Sequence, residues 1–202
     1  MVKNLGWDDE KAKTIEARFH ELYKASADWV QGRIEQACKD GYATAAFGLR
    51  IRTPLLKQTF LKASGSLKEA HAEARTLGNA ISGQSYGLLT NRALNAFMEK
   101  VWESEYALQI MPIAMIHDAI YLLIVNDLEV VKWVNEQLIE EMQWQALPEI
   151  KHDQVKLGAE LDIFYPSWAE KFTLPNNADR DTIMEMSKEH VEKLNDLQKT
   201  KT

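Results

Sequence analysis

The feature that most constrains this chain is an apolar stretch, residues 108–125, that carries a polar pair at its middle. Its length would suffice for a membrane-spanning helix. Pro112 interrupts it, however, and His117-Asp118 would place a charge near the bilayer centre, where charges are strongly unfavourable. We therefore predict two strands folded back on each other, over residues 108–116 and 120–125, joined by His117-Asp118-Ala119.

Helical periodicity dominates much of the remaining chain. We predict helices over residues 8–40 (one or two), 67–102, 128–144 and 181–199. Gly41 is expected to close the first region, and Gly78 and Gly83 to interrupt the second.

Two shorter segments complete the organisation. Residues 42–54 alternate small, aromatic and basic side chains around Gly48, which predicts a turn or short hairpin. Residues 155–163 alternate as an edge strand would. The order of helix, hairpin and helix indicates an α+β fold.

Composition limits the class of protein. The 202 residues are 46% hydrophobic and 27% charged, which fits one folded domain or a large piece of one. The single cysteine, Cys38, excludes an internal disulfide and favours a reducing compartment. The N-terminal residues show no signal-peptide pattern, so we expect a cytoplasmic protein that does not enter a membrane.

The charge distribution is uneven. The net charge of −6 is not typical of a nucleic-acid-binding protein. Residues 48–75 nevertheless carry six basic residues against two acids, a local excess of +4: Arg50, Arg52, Lys57, Lys62, Lys68 and Arg75 against Glu69 and Glu73. A solvated basic loop is the alternative to a nucleic-acid-binding surface here.

Asp118 is the candidate chemical group of the apolar stretch. A carboxylate between two apolar strands is unfavourable unless it is at the surface, hydrogen-bonded or bound to a cation. A hairpin bend would hold it rigidly, as a metal ligand requires, although Asp is also common in ordinary turns. One carboxylate cannot define a Mg²⁺ site, because transfer chemistry commonly uses more than one.

His117-Asp118 between two apolar strands resembles motif C of the family A (DNA polymerase I-like) DNA polymerases, usually His-Asp-Glu. Further segments resemble the family in its order, from about residue 5 to residue 172. They are Gly41-Tyr42 with Gly48-Leu49-Arg50 and Pro54 (fingers), Tyr23 and Trp29 before it, Arg75 with Asn79 and Gln84, and Glu160-Leu161-Asp162-Ile163 with Pro166-Ser167-Trp168 at the end.

The resemblance implies a role for each matching residue. Asp118 would be the motif C ligand of two Mg²⁺ ions, and His117 would contact the primer-terminal backbone. Arg75, Asn79 and Gln84 would contact the DNA minor groove near the primer terminus, where acceptor atoms are common to all correct pairs. Arg50 and Arg52 would contact phosphate or the template side. The implied architecture is part of a polymerase hand: fingers-derived helices and basic turn (residues 1–75), palm portion (76–174) and a charged helical extension (175–202).

The chain also departs from the family pattern. Ala119 stands where motif C has glutamate, Leu49 where the fingers segment has arginine, and the interval from Asn79 to Gln84 is one residue too long. The family's other metal aspartate, in an Asp-Tyr-Ser-like strand, and its nucleotide-binding helix have no match. We therefore expect half of a split, phage-type polymerase that is inactive alone and needs a companion chain, primer-template DNA and deoxynucleotide triphosphates. A non-catalytic DNA- or protein-binding descendant and a fragment of a longer polymerase are the alternatives.

Overall fold

The computed structural model of the protein describes residue 6 and residues 8–60 and 67–199. In this part of the chain, helices combine with three two-stranded antiparallel sheets, which confirms the predicted α+β class. The chain divides into two compact units, residues 1–84 and 85–202. Its division into fingers, palm and extension stays a prediction.

The first unit begins with two helices, as predicted for residues 8–40. Helix α1 (Asp9–Leu22) starts at Asp8, whose side chain accepts a hydrogen bond of 2.7 Å from the Lys11 N–H. Helix α2 (Lys24–Asp40) ends at Gly41, which adopts the left-handed conformation with φ of +79°. Glycine is the residue best suited to this helix-ending conformation, so the predicted end at Gly41 is confirmed.

The predicted short hairpin follows directly. Strands β1 (Tyr42–Thr44) and β2 (Arg50–Arg52) pair through a 3₁₀ turn, Ala46–Gly48, and lead into helix α3 (Pro54–Phe60). The hairpin buries one face in the core of this unit, which consists of Ala37, Ala43, Ala45, Leu56, Leu77 and Ile81.

Helix α4 (Leu67–Glu103) is continuous, so the predicted interruption around Gly78 and Gly83 is wrong. Each glycine costs a helix about 1 kcal/mol relative to alanine. Burial of Leu77 and Ile81 favours the helical path through these positions. A side chain on Gly78 would meet Val30 of α2 at 3.0 Å, so the glycine also permits this close approach.

The second unit contains the predicted apolar hairpin. Strands β3 (Ile110–Ile116) and β4 (Ala119–Ile124) are antiparallel, and helix α5 (Leu128–Met142) follows them as predicted. Their common core contains Phe97, Val101, Ile110, Val130 and Val134, with Ile120, Leu122 and Ile124 packed against it. The interpretation of residues 108–125 as two strands is confirmed, except that β3 begins at Ile110 and that Ala119, predicted in the loop, is the first residue of β4.

The last strands differ from the prediction in their bounds. Strands β5 (Leu161–Phe164) and β6 (Lys171–Leu174) pair, and helix α6 (Arg180–Lys199) follows as predicted. Residues 155–160 are not a strand, which corrects the predicted edge strand over 155–163. Their backbone bonds instead to side chains. Gln145 accepts from the Leu157 N–H at 2.6 Å and donates to the Val155 carbonyl at 3.0 Å, and His152 Nδ1 accepts from the Val155 N–H at 2.9 Å. Asn176 donates to the Ala159 carbonyl at 2.9 Å.

Among the described residues, no helix combines the length and the apolar character needed to cross a bilayer.

Candidate functional site

His117 and Asp118 form the whole loop of the β3–β4 hairpin. Ile116 pairs directly with Ala119, which leaves two residues between the strands. His117 has a positive φ of +56°, and both loop residues are exposed. Two-residue hairpin loops favour positive φ because the resulting turn matches the twist of the strands. The backbone therefore presents the His117 and Asp118 side chains to solvent at the apex of the hairpin.

The core holds this apex in position. Ile120, Leu122 and Ile124 alternate along β4 and pack against the core, and Ile110 of β3 is buried. A register shift between Pro112 and Ala114 interrupts the ladder once. Proline has no N–H to contribute to a ladder, so irregular pairing at this point is expected. A slip of one residue would turn the apolar side chains of β4 away from the core. The core therefore fixes the pairing register of the two strands, and with it the two residues that form the loop.

The residues present do not complete a Mg²⁺ site. Asp118 supplies one exposed carboxylate, and Ala119 supplies no ligand. Within residues 8–60 and 67–199, no three His, Cys, Asp or Glu side chains come together as a metal-binding group. Mg²⁺ is held in proteins by oxygen ligands from carboxylates together with water or substrate phosphates. Mg²⁺ binding through Asp118 thus remains a prediction that requires ligands from outside this hairpin.

The hairpin turns an apolar face outward. Met111 and Leu123 pair across the strands and are 61% and 60% exposed. Ile113 and Ile116 of β3 are also exposed. In the described part of the chain, neither β3 nor β4 pairs with a third strand. We call Met111, Ile113, Ile116 and Leu123 the outer hairpin face. Exposed apolar surface next to open strand edges is typical of a site that pairs with another chain.

An aromatic stack lies beside the hairpin. The Tyr121 ring of β4 stacks on Trp168 with centroids 4.8 Å apart, and Trp168 stacks on Phe164 at 5.2 Å. Trp168 belongs to the Pro166-Ser167-Trp168 segment that resembles the family's terminal motif. The contact to Tyr121 attaches this segment to the hairpin that carries Asp118.

Arg75, Asn79 and Gln84 are all exposed on α4, but the helix does not bring the three together. Arg75 and Asn79 are four residues apart and share a face. Gln84 lies nine residues beyond Arg75, a rotation of roughly two and a half turns, and so points to the opposite side. No bulge at Gly83 compensates for this, because α4 continues through it. DNA contact by each residue stays a prediction.

Arg50 and Arg52 share the outer face of β2. Both are exposed, whereas Ile51 between them packs against the core of the first unit. The guanidinium carbon of Arg50 lies 4.5 Å from the centroid of the Tyr42 ring. Of the other residues in the predicted basic stretch, Lys62 and the side chain of Lys68 lie outside the described residues.

Sequence reasoning missed Phe47. It occupies the turn between β1 and β2 with φ of +56° and ψ of 19°, and its side chain is 44% exposed. The available signal was an aromatic residue directly before Gly48 in a predicted turn. Turn positions with positive φ usually hold residues that tolerate this conformation, and phenylalanine is not one of them, so its presence there was unusual.

Comparison with known proteins leaves the family resemblance resting on the motifs themselves. No family model matches the chain, and no curated protein matches it either.

Proposed function

We propose that the chain is the C-terminal part of a DNA-directed DNA polymerase. It would act with a companion chain that carries the other metal aspartate and the nucleotide-binding helix. The observation that carries the proposal is the placement of Asp118 at the apex of a two-residue loop between core-anchored strands. Rigid presentation of a carboxylate is what a metal ligand in a transfer reaction requires.

The outer hairpin face supports the need for a companion. Its four apolar side chains are exposed, and both strands have open edges among the described residues. A strand of the companion chain would pair with one of these edges and cover the face. A carboxylate on that strand would then lie near Asp118 and complete the ligand set for Mg²⁺.

The exposed basic and polar side chains of the first unit support DNA contact. Arg75 and Asn79 would contact DNA together, because they share one face of α4. Arg50 and Arg52 would contact phosphates from the outer face of β2. Gln84 has the weakest support of the predicted contacts, since it lies on the opposite side of the helix from Arg75.

Primer extension tests the proposal. The assay uses primer-template DNA, Mg²⁺ and the four deoxynucleotide triphosphates with the chain alone, with a polymerase half that carries the other metal aspartate and the nucleotide-binding helix alone, and with the two mixed. We expect extension only in the mixture. Asp118→Asn should abolish the extension without preventing assembly of the two chains, because the exposed side chain contributes little to folding. Full activity of the Asn variant would contradict the role of Asp118.

Ala119 favours a second function, that of a non-catalytic polymerase-derived module that binds DNA or protein. The family's motif C places glutamate at this position, and alanine cannot bind a metal or accept a hydrogen bond through its side chain. The same assay separates the two functions. A mixture that assembles but does not extend primers would favour the non-catalytic module, and Ala119→Glu would then be the first change to test for restored extension.

A further inference from the structure

The register shift in β3 divides the β3–β4 hairpin into a base and a tip. The base is buried at Ile110 and leads directly into α5. After Pro112 the pairing resumes with Ala114 opposite Tyr121 and continues to the loop. We call residues 114–121 the tip segment. Irregular pairing bends and twists a strand locally, so the base alone does not fix the direction of the tip segment.

Trp168 packs against the tip segment. Its ring stacks on Tyr121, with centroids 4.8 Å apart and planes at 24°, and on Phe164 of β5, at 5.2 Å and 29°. Strand β5 is itself held in place, because Leu161 packs against the same core as the hairpin. Two residues separate Tyr121 from Asp118 along the chain. A contact at Tyr121 therefore restrains the direction in which the carboxylate is presented.

The loop that carries Trp168, residues 165–170, is closed by hydrogen bonds of its own. The Tyr165 N–H donates to the Glu170 carbonyl at 3.0 Å, and the Glu170 N–H donates to the Ser167 carbonyl at 3.2 Å. The Ser167 hydroxyl also donates to the Glu170 carboxylate. A loop that is closed by its own contacts keeps its shape, so a contact that fixes the loop also fixes Trp168.

Helix α6 contacts this loop through His190. The Nε2 atom of His190 lies 2.7 Å from the Tyr165 carbonyl oxygen. A carbonyl only accepts hydrogen bonds, so Nε2 carries a proton and donates it. The His190 ring also lies against Phe172 of β6, with centroids 4.8 Å apart, and the buried side chain of Ile183 anchors α6. His190 is therefore fixed against the β5–β6 hairpin while it donates to the loop.

We propose that Trp168 is a positioning residue for Asp118, and that α6 holds Trp168 in place through His190. Helix α6 lies beyond residue 172, where the family resemblance ends, so the resemblance implies no role for it. It would act on the site without touching it, through the loop and the stacked rings. The role of Asp118 in this inference rests on the proposed polymerase function, whereas the support of the tip segment by Trp168 can be measured without polymerase activity.

The experiment measures amide hydrogen exchange of the full chain, residue by residue, by NMR. Trp168→Leu removes the stacked ring and keeps an apolar side chain. We expect the protected amides of the tip segment to exchange roughly 2- to 12-fold faster, the equivalent of one lost aromatic pair. Residues 110–112 and 122–124 should keep their exchange rates, because the core holds the base of the hairpin. Trp168→Phe, which can still stack on Tyr121, should retain the parental rates throughout.

Two substitutions of His190 test the role of α6. Glutamine can place an N–H donor where Nε2 stands, whereas asparagine is too short to reach that position. We expect His190→Asn to accelerate exchange in the tip segment, as Trp168→Leu does, and His190→Gln to retain the parental rates. Both variants lose the ring contact with Phe172, so a difference between them reports the hydrogen bond. His71→Asn, at an exposed histidine of α4, is the control and should leave exchange in the tip segment unchanged.

Primer extension by the chain mixed with its companion half adds a kinetic readout. Trp168→Leu and His190→Asn should lower kcat by up to roughly 100-fold, the cost of a displacement of about 1 Å at a reacting group. The KM for deoxynucleotide should stay unchanged, because Asp118 would act in the transfer step and the nucleotide-binding helix would belong to the companion.

Three outcomes would overturn the proposal. They are unchanged exchange of the tip segment in Trp168→Leu, equal acceleration in the base and the tip of the hairpin, and equal rates in His190→Asn and His190→Gln. Failure of the polymerase proposal is distinguishable from these. It would show as a mixture of parental chains that does not extend primers, and the exchange rates would then decide by themselves whether Trp168 and α6 hold the tip segment.

Discussion

The carboxylate of Glu141 lies 2.7 Å from the guanidinium of Arg92, and this ion pair joins α5 to the second half of α4. Lys100 Nζ lies 2.7 Å from the other carboxylate oxygen. Burial by itself would raise the pKa of Glu141, but the hydrogen bonds and charges of Lys100 and Arg92 outweigh it. The pKa of Glu141 is therefore lowered, and its ionised form stabilises the second unit.

Glu141→Gln should lower the free energy of unfolding at pH 7 by roughly 1–3 kcal/mol, because it leaves two cations without their shared carboxylate. A carboxyl whose pKa is lowered on folding stabilises the protein above the unfolded pKa of about 4.3 and loses this effect as pH falls through the folded pKa. The difference between variant and parent, measured by urea unfolding, should thus shrink below about pH 4.

Glu140→Gln is the matched control for this prediction. Glu140 also contacts Lys100, at 2.6 Å, but its side chain is 67% exposed whereas that of Glu141 is 10% exposed. Exposed ion pairs contribute about 0–1 kcal/mol, so this change should have a small effect. Equal losses in the two variants would show that burial does not strengthen the Glu141 pair.

Two glycines of α4 should respond differently to alanine. Gly83→Ala should raise the free energy of unfolding by about 1 kcal/mol, because alanine favours the helix and its Cβ would meet nothing within 4 Å. Gly78→Ala should gain less or lose stability, because its Cβ would lie 3.0 Å from Val30 Cγ2. Thermal unfolding of both variants measures the difference. A loss of stability on Gly83→Ala would contradict a continuous α4.

Asn135 should not tolerate aspartate. Its side chain is fully buried on α5, and its Nδ2 donates to the Pro175 carbonyl at 3.2 Å. Asn135→Asp removes this donor and buries a charge, so we expect a loss of about 3 kcal/mol or more at pH 7 and a smaller loss near pH 4. Asn176→Asp is the control, since exposed Asn176 donates to the Ala159 carbonyl at 2.9 Å. A comparable loss there in urea unfolding would mean that burial is not the cause.

The outer hairpin face should bind a hydrophobic dye when the chain is alone. Leu123→Lys should reduce the fluorescence of bound anilinonaphthalene sulfonate and weaken assembly with the companion chain. Its effect on stability should stay within about 0.5 kcal/mol, because Leu123 is mostly exposed. Leu22→Lys on α1 changes a leucine that is still more exposed, at 75% against 60% for Leu123, and should affect neither property. Unaltered dye binding by Leu123→Lys would mean that another surface binds the dye.

The elements that sequence predicted well are those with a strong apolar pattern. The β3–β4 hairpin follows from two apolar runs on either side of a polar pair, and α2 ends at Gly41 because glycine tolerates the left-handed conformation. Glycine was a poor guide inside α4. There the local cost of Gly78 and Gly83 competes with burial of Leu77 and Ile81, and sequence alone does not show which effect is larger.

The candidate site was predictable only in part. The loop containing His117 and Asp118 was recognisable because polar residues between two apolar strands belong at a bend. The separation of Gln84 from Arg75 was not, because it depends on α4 remaining helical through Gly83. Phe47 escaped notice for a related reason, since its significance lies in a backbone angle that the residue type alone disfavours.

The two-residue loop also governs how this chain can change over time. Insertions are usually tolerated in long loops. Here the two residues that flank the loop, Ile116 and Ala119, already pair with each other. The packing of β3 and β4 therefore determines the position of Asp118. Substitutions of neighbouring residues that preserve this packing would therefore leave the carboxylate in place, whereas an insertion into the loop would displace it.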